Sequence, residues 1–102
     1  MNGEIYPGDH MVMKRVKVIV EGRVQGVGYR MFVRDLANRY HISGWVRNRE
    51  DGSVEGEIEG ESRVVDEIIE ELYAREAYII RVDQVKVTET IPIESHGFEI
   101  RR

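Results

Sequence analysis

A change in hydrophobic period between residues 16 and 40 restricts the fold more than any other feature of the chain. Val16, Val18 and Val20 fall on one face of an extended segment, as in a strand that buries one side. Between residues 31 and 40 the apolar residues instead recur at helical spacing. Three glycines separate the two patterns. The chain is therefore expected to run from a strand through a glycine-rich turn into a helix.

A hairpin is expected next. Residues 42–48 alternate again, residues 49–52 supply the turn chemistry of Arg-Glu-Asp-Gly, and residues 53–59 alternate once more. The positions of this last run that are expected to face water are Ser53, Glu55, Glu57 and Glu59. The sheet would then have one wet face and one face covered by both helices.

The remaining pattern adds one helix and two strands. Ser62 is expected to cap the N-terminus of a helix that ends near Arg75. The alternation over residues 80–87 changes phase at residues 83–84, which predicts a β-bulge in a fourth strand. Residues 98–100 are typical of a short last strand.

The order βαββαβ predicts an α+β fold of the ferredoxin-like class, a two-layer sandwich with a short C-terminal strand. Two helices would cover one face of a mainly antiparallel sheet, and strand three would lie between the parallel strands one and two. A chain of 102 residues is expected to form one domain. Residues 1–13 lack any period and are expected to be a flexible tail, so the domain would span residues 14–102.

Composition excludes several classes of function. Without cysteine the chain cannot use a phosphocysteine intermediate, a disulfide framework or a cysteine-based metal site. No apolar run is long enough to span a bilayer, so no membrane partner is expected. A monomeric protein in the cytoplasm is the expectation.

The net charge of −4 is unevenly divided. Residues 14–49 hold nine basic residues against Glu21 and Asp35, whereas residues 50–76 are strongly acidic. An acidic chain is poorly suited to following a nucleic-acid backbone, so no nucleic acid is expected as a partner. The basic part can still attract a small dianion, and it contains the glycines.

The stretch from Gly22 to Arg30 has the composition of an anion site. Glycines allow backbone N–H groups to converge, and a helix N-terminus adds partial positive charge. On position alone, Arg30 is either a phosphate-binding fork or a solvated helix arginine. Asn48 is likewise either a residue that orients water or a turn asparagine that bonds its own backbone. His10, His41 and His96 lie in positions that favour structural or solvated roles.

Together with Gly44-Trp45-Val46-Arg47-Asn48 and Asp51-Gly52-Ser53-Val54-Glu55, this stretch resembles the acylphosphatases, from about Val16 to the C-terminus. The resemblance implies hydrolysis of an acyl phosphate, a small-molecule substrate, with no cofactor, no metal and no covalent intermediate. It implies that Arg30 is catalytic and that Asn48 positions the water. The backbone that it implies for phosphate binding, called the glycine loop below, comprises Arg23, Val24, Gln25, Gly26, Val27, Gly28 and Tyr29.

Two departures and two alternatives accompany the resemblance. Residues 76–80 stand where many relatives carry a Gly-Pro-Pro turn, and the N-terminal tail is extra. One alternative is a noncatalytic ferredoxin-like domain that binds phosphate or RNA, since residues 28–33 superficially resemble an aromatic RNA-binding strand. The other is a domain that works inside a larger assembly, for example in carbamoyl-group transfer.

Overall fold

A computed structural model describes residues 12–102. Its elements are, in chain order, β1 (Met13–Arg23), α1 (Tyr29–Arg39), β2 (Ser43–Asn48), β3 (Val54–Glu61), α2 (Ser62–Glu71), β4 (Arg81–Thr90) and β5 (Phe98–Arg101). The sheet has the strand order β4-β1-β3-β2-β5. All neighbouring pairs are antiparallel except β2 and β5, which are parallel. The predicted ferredoxin-like α+β fold is confirmed, including β3 between β1 and β2.

The core lies between the helices and one face of the sheet. The predicted inward valines of β1, Val16, Val18 and Val20, are at most 4% exposed. They share a single cluster with residues from both helices, including Leu36 and Ile68. Within residues 12–102 no helix is long and apolar enough to cross a membrane.

The predicted bulge is present in β4. Glu21 pairs with Gln84 and Gly22 pairs with Val82, so Asp83 has no partner on β1. Gly22 has φ 139°, and a Cβ atom there would lie 2.1 Å from the Arg81 carbonyl oxygen. Only glycine fits this point, where β1 turns towards the glycine loop.

The boundaries of the two helices differ from the expectation: α2 ends at Glu71, about one turn before Arg75, and the N-terminal boundaries of both helices also differ. Glu61, not Ser62, caps α2, and its carboxylate accepts a hydrogen bond of 3.2 Å from the Val64 N–H. The prediction of Ser62 was wrong because β3 continues to Glu61 and leads directly into the helix. A carboxylate one residue earlier satisfies the same free N–H group and also suits the helix dipole. The helix α1 starts at Tyr29, two residues earlier than its periodicity indicates.

The predicted tail, residues 1–13, falls almost entirely on residues 1–11, which lie outside the described part of the chain, as does His10. That prediction stays a prediction. Val12 and Met13 are described, and Met13 is the first residue of β1. The backbone oxygen of Val12 accepts a hydrogen bond from the Ser62 N–H at 3.0 Å.

The expectation of a wet outer face on β3 was wrong. Glu59 and Glu55 are only 2% and 6% exposed, and Ser53 is also buried. Arg15, itself 3% exposed, donates to the Glu57 carboxylate at 2.7 Å and to the Glu59 carboxylate at 2.9 Å. The alternating acidic residues of β3 thus pair with basic residues of both neighbouring strands, β1 and β2.

The cover over Arg15 and Glu59 comes from residues 91–97, called the crossing segment here. Because β4 and β5 lie at opposite edges of the sheet, the chain between them must cross the face that the helices leave free. The backbone N–H groups of Ile93 and Glu94 donate to the Glu59 carboxylate at 2.9 and 2.8 Å. Burial raises the pKa of Glu59, but these two N–H groups and Arg15 together hold it below its ordinary value. Glu59 is therefore a charged anchor for the crossing segment.

Replacing Glu59 by alanine is expected to destabilise the fold by about 3 kcal/mol at neutral pH. The variant removes one partner of the buried Arg15 guanidinium and the acceptor of two backbone N–H groups. Denaturant unfolding would measure this loss. Since the pKa of Glu59 is lowered in the folded state, the difference from wild type should shrink as pH falls below the ordinary pKa of glutamate.

Glu57→Ala is the matched control, because Glu57 contacts the same arginine but its side chain is 26% exposed. We expect it to cost about 1 kcal/mol or less. Equal losses in the two variants would contradict the anchoring role of Glu59.

Candidate active site

The glycine loop connects the end of β1 to the start of α1. Gly26 and Gly28 have φ of 75° and 80°, in the left-handed region, and a Cβ atom at either position would meet nothing within 4 Å. Glycine is thus needed at these two positions for the backbone conformation and not because a side chain would clash. Gly28 is the N-cap of α1 and provides no side-chain cap. The first N–H groups of the helix are therefore left for an external acceptor such as an anion.

Apolar side chains hold both ends of the glycine loop. Val24 and Tyr29 are each 1% exposed and belong to the core. The Tyr29 hydroxyl donates a hydrogen bond of 2.6 Å to the Leu72 carbonyl oxygen, and burial raises the pKa of this phenol well above its ordinary value. Tyr29 is thus a neutral anchor that ties the loop to the end of α2.

Gln25 ties the loop to a second element. Its side-chain nitrogen donates to the carbonyl oxygens of Arg49 and Ser53, at 2.7 and 2.8 Å. These carbonyls belong to the β2–β3 turn, defined here as residues 49–53. The turn follows Asn48 directly, so the glycine loop and Asn48 lie at the same end of the sheet.

Arg30 is the second residue of α1 and is half-buried. Its Nη1 donates to the Arg101 carbonyl oxygen at 3.3 Å. Arg101 is in turn the β5 partner of Arg47, the residue before Asn48. No carboxylate of residues 12–102 forms an ion pair with Arg30. Within that part of the chain, the guanidinium remains available to an external anion.

Asn48 ends β2, opposite Val54. The side chain that bonds the turn backbone is Asp51, whose Oδ1 accepts from the Ser53 N–H at 2.9 Å and from the Ser53 hydroxyl at 2.5 Å. These two donors lower the pKa of Asp51. The Asn48 side chain has no hydrogen bond to residues 12–102, so the role of turn organiser belongs to Asp51 there.

Three strands finish at the same end of the sheet, and the predicted site residues lie at or near the ends of these strands. β1 and β2 are both antiparallel to β3, and β5 is parallel to β2, so the three run in one direction. Their last residues are Arg23, Asn48 and Arg101. The glycine loop, Arg30 and Asn48 therefore lie at one end of the sheet.

Two participants in this geometry were missed from the sequence. Gln25 was predicted to act only through its backbone, and its side-chain contacts have no local signal because their partners are 24 and 28 residues away. The carbonyl of Arg101 lies 71 residues from Arg30, and a backbone acceptor carries no sequence signature. The one available sign for Gln25 was a polar amide in a tight loop, between Val24 and Gly26.

The acylphosphatase family model matches residues 16–100. An acylphosphatase of Methanospirillum hungatei is 43% identical over 90 residues, which cover 88% of this chain and 99% of that protein. The crystal structure of acylphosphatase from Bacillus subtilis has a TM-score of 0.81 at 36% identity, covering 89% of this chain and all of that one. Full-length HypF, crystallised in a phosphate- and nucleotide-bound form, has a TM-score of 0.79 at 27% identity, but the match covers only 12% of its chain.

Proposed function

The chain belongs to the acylphosphatase family, and from this we propose that Arg30 and the glycine loop hold the phosphoryl group of the substrate while Asn48 directs the attacking water. As an acylphosphatase the enzyme hydrolyses acyl phosphates. The products of this reaction are a carboxylate and inorganic phosphate.

Phosphate binding is assigned to Arg30 and to the backbone N–H groups of residues 23–29. A guanidinium presents paired donors that match two phosphate oxygens, and charge-assisted bonds of this kind are stronger than neutral ones. Left-handed Gly26 and Gly28 and the uncapped start of α1 support the loop as an oxyanion site. Donors placed before the reaction begins need no reorganisation as charge develops on the phosphoryl oxygens.

Water activation is assigned to Asn48 without a protein base. An amide can accept a hydrogen bond from water and donate another, and it adds no negative charge beside the phosphate. The water oxygen attacks phosphorus, the bond from phosphorus to the acyl oxygen breaks, and a phosphate oxygen of the substrate takes the water proton. The carboxylate is a good leaving group, so positioning and electrostatic stabilisation suffice. The nearby Asp51 is engaged by Ser53 and is not needed as a base.

The shared end of β1, β2 and β5 is the observation that carries this proposal. It lets an anion on the glycine loop lie between Arg30 and Asn48. A metal is not part of the proposed mechanism, and within residues 12–102 no three His, Asp or Glu residues are grouped as ligands.

Benzoyl phosphate should be hydrolysed by the purified chain at an unchanged rate after exhaustive chelation. Release of inorganic phosphate, with and without chelator, is the measurement. Loss of activity on chelation that an added metal restores would contradict the proposed mechanism.

The same assay, set beside an RNA titration, separates the alternatives. The RNA-binding alternative needs exposed aromatic rings on a strand, but Tyr29 is buried and stacks on Phe32 within α1, with ring centroids 5.8 Å apart. A domain that acts only inside a larger assembly would hydrolyse benzoyl phosphate poorly by itself. The monomeric state and the cytoplasmic location stay predictions.

A further inference from the structure

We infer that Gln25 is a positioning residue, whose side-chain amide sets the place of Asn48 relative to the bound phosphoryl group. The inference rests on the proposed function and adds to it a residue that acts through Asn48. Both N–H bonds of one primary amide go to the same turn, at 2.7 Å to Arg49 O and 2.8 Å to Ser53 O. Gln25 therefore links the loop that holds phosphate to the turn that follows Asn48.

The sheet itself does not provide this link. β1 and β2 are not neighbours, because β3 lies between them. Val54, the first residue of β3, pairs with Val20 of β1 on one side and with Asn48 of β2 on the other. Beyond these three residues β3 no longer lies between the other two strands. A gap of roughly two strand spacings, about 10 Å, therefore separates β1 from the extension of β2. The Gln25 side chain reaches from the loop to the turn in this region.

The internal shape of the turn depends on other contacts. Arg49 N–H donates to the Ser53 carbonyl at 2.8 Å, and Gly52 N–H donates to the Arg49 carbonyl at 3.3 Å. Asp51 adds two bonds to Ser53. Without the amide of Gln25, the turn keeps these bonds and can retain its conformation. What the turn loses is its attachment to the glycine loop. The distance between the water held by Asn48 and the phosphorus atom is then no longer fixed.

Gln25→Met keeps the length of the side chain but removes both donors. We expect kcat for benzoyl phosphate to fall by about 10²-fold, the usual effect of displacing a reacting group by about 1 Å. The inhibition constant of inorganic phosphate should change by less than about threefold, because Arg30 and the loop amides remain. The matched control is Gln84→Met, which removes an exposed amide on β4 and should leave both quantities unchanged.

A double-mutant cycle with Asn48→Ala tests whether Gln25 acts through Asn48. In the Asn48→Ala background, Gln25→Met should lower kcat by less than about twofold, since the water is already misplaced. If Gln25→Met does not fold, Gln25→Asn replaces it, because this amide is one methylene too short to reach both carbonyls.

The outcomes separate the inference from the proposed function. A wild-type kcat in folded Gln25→Met, an equal fall in both backgrounds, or a loss of phosphate binding as large as the loss of turnover would overturn the role of Gln25 alone. Normal turnover by folded Asn48→Ala would overturn the proposed function, and the inference with it.

Discussion

Arg30→Lys is expected to lower phosphate affinity by about 10- to 100-fold and kcat by about 10²- to 10³-fold. Lysine keeps the charge but loses the planar fork that matches two phosphate oxygens. A hydrogen bond to a charged group is worth about 1.5–3 kcal/mol, so the loss of one such bond accounts for the fall in affinity. The larger fall in kcat follows because charge grows on these oxygens in the transition state. Steady-state hydrolysis of benzoyl phosphate with phosphate as competitor measures both.

Stability should change little in Arg30→Lys. Its one hydrogen bond to the described residues is the 3.3 Å contact with the exposed Arg101 carbonyl. Arg34→Lys is the matched control, one turn further along α1, where Arg34 pairs with Asp35 at the surface. This control should behave like wild type in every assay. Near-normal turnover by a folded Arg30→Lys protein would remove Arg30 from the mechanism.

Asn48→Ala is expected to abolish nearly all turnover while leaving phosphate binding almost intact. The neutral amide contributes little to holding a dianion, so the affinity for inorganic phosphate should change by less than about 1 kcal/mol. Loss of one preorganised group typically lowers kcat by about 10²- to 10³-fold, and misplacing the nucleophile can cost more. Inhibition by phosphate and single-turnover hydrolysis separate the two effects.

Damage to the turn is the competing explanation for such a result. Because Asp51 rather than Asn48 supplies the side-chain bond to the turn, the melting temperature of Asn48→Ala should stay near that of wild type. Asn38→Ala, which removes an exposed amide from α1, is the control for a loss of asparagine. If phosphate binding vanishes along with turnover in a folded protein, the separate roles of Arg30 and Asn48 are wrong.

Local patterns in the sequence were sufficient to predict the elements and their order. The alternating valines of β1, the helical period of α1 and the phase change at Asp83 each depend on residues close in the chain, and each is present in the structure. The topology followed from these elements because crossover handedness leaves few arrangements. The order of the elements and the fold class were thus accessible from periodicity and crossover handedness, whereas the helix boundaries and the cap of α2 were not.

Contacts between distant segments were not accessible in this way. Glu55 and Glu59 have the spacing of a solvated strand face. The burial of Glu59 depends on Arg15 and on the path of the crossing segment, whereas Glu55 pairs with Lys17 and Arg47 on the two neighbouring strands. That path follows from the pairing of β5 with β2, which four residues of strand do not specify. The same limit applies to the candidate site: Arg30 and Asn48 could be predicted from motifs, but the side-chain contacts of Gln25 are made with two backbone carbonyls in a distant segment.

The charges beneath the crossing segment also affect how the fold responds to heat. Hydration of an ion carries negative entropy, so withdrawing Arg15 and Glu59 from water costs less free energy as the temperature rises. The apolar layer under the helices gains no comparable advantage, since its stabilisation per unit area levels off. On warming, the outer face of the sheet should therefore supply a growing share of the resistance to unfolding.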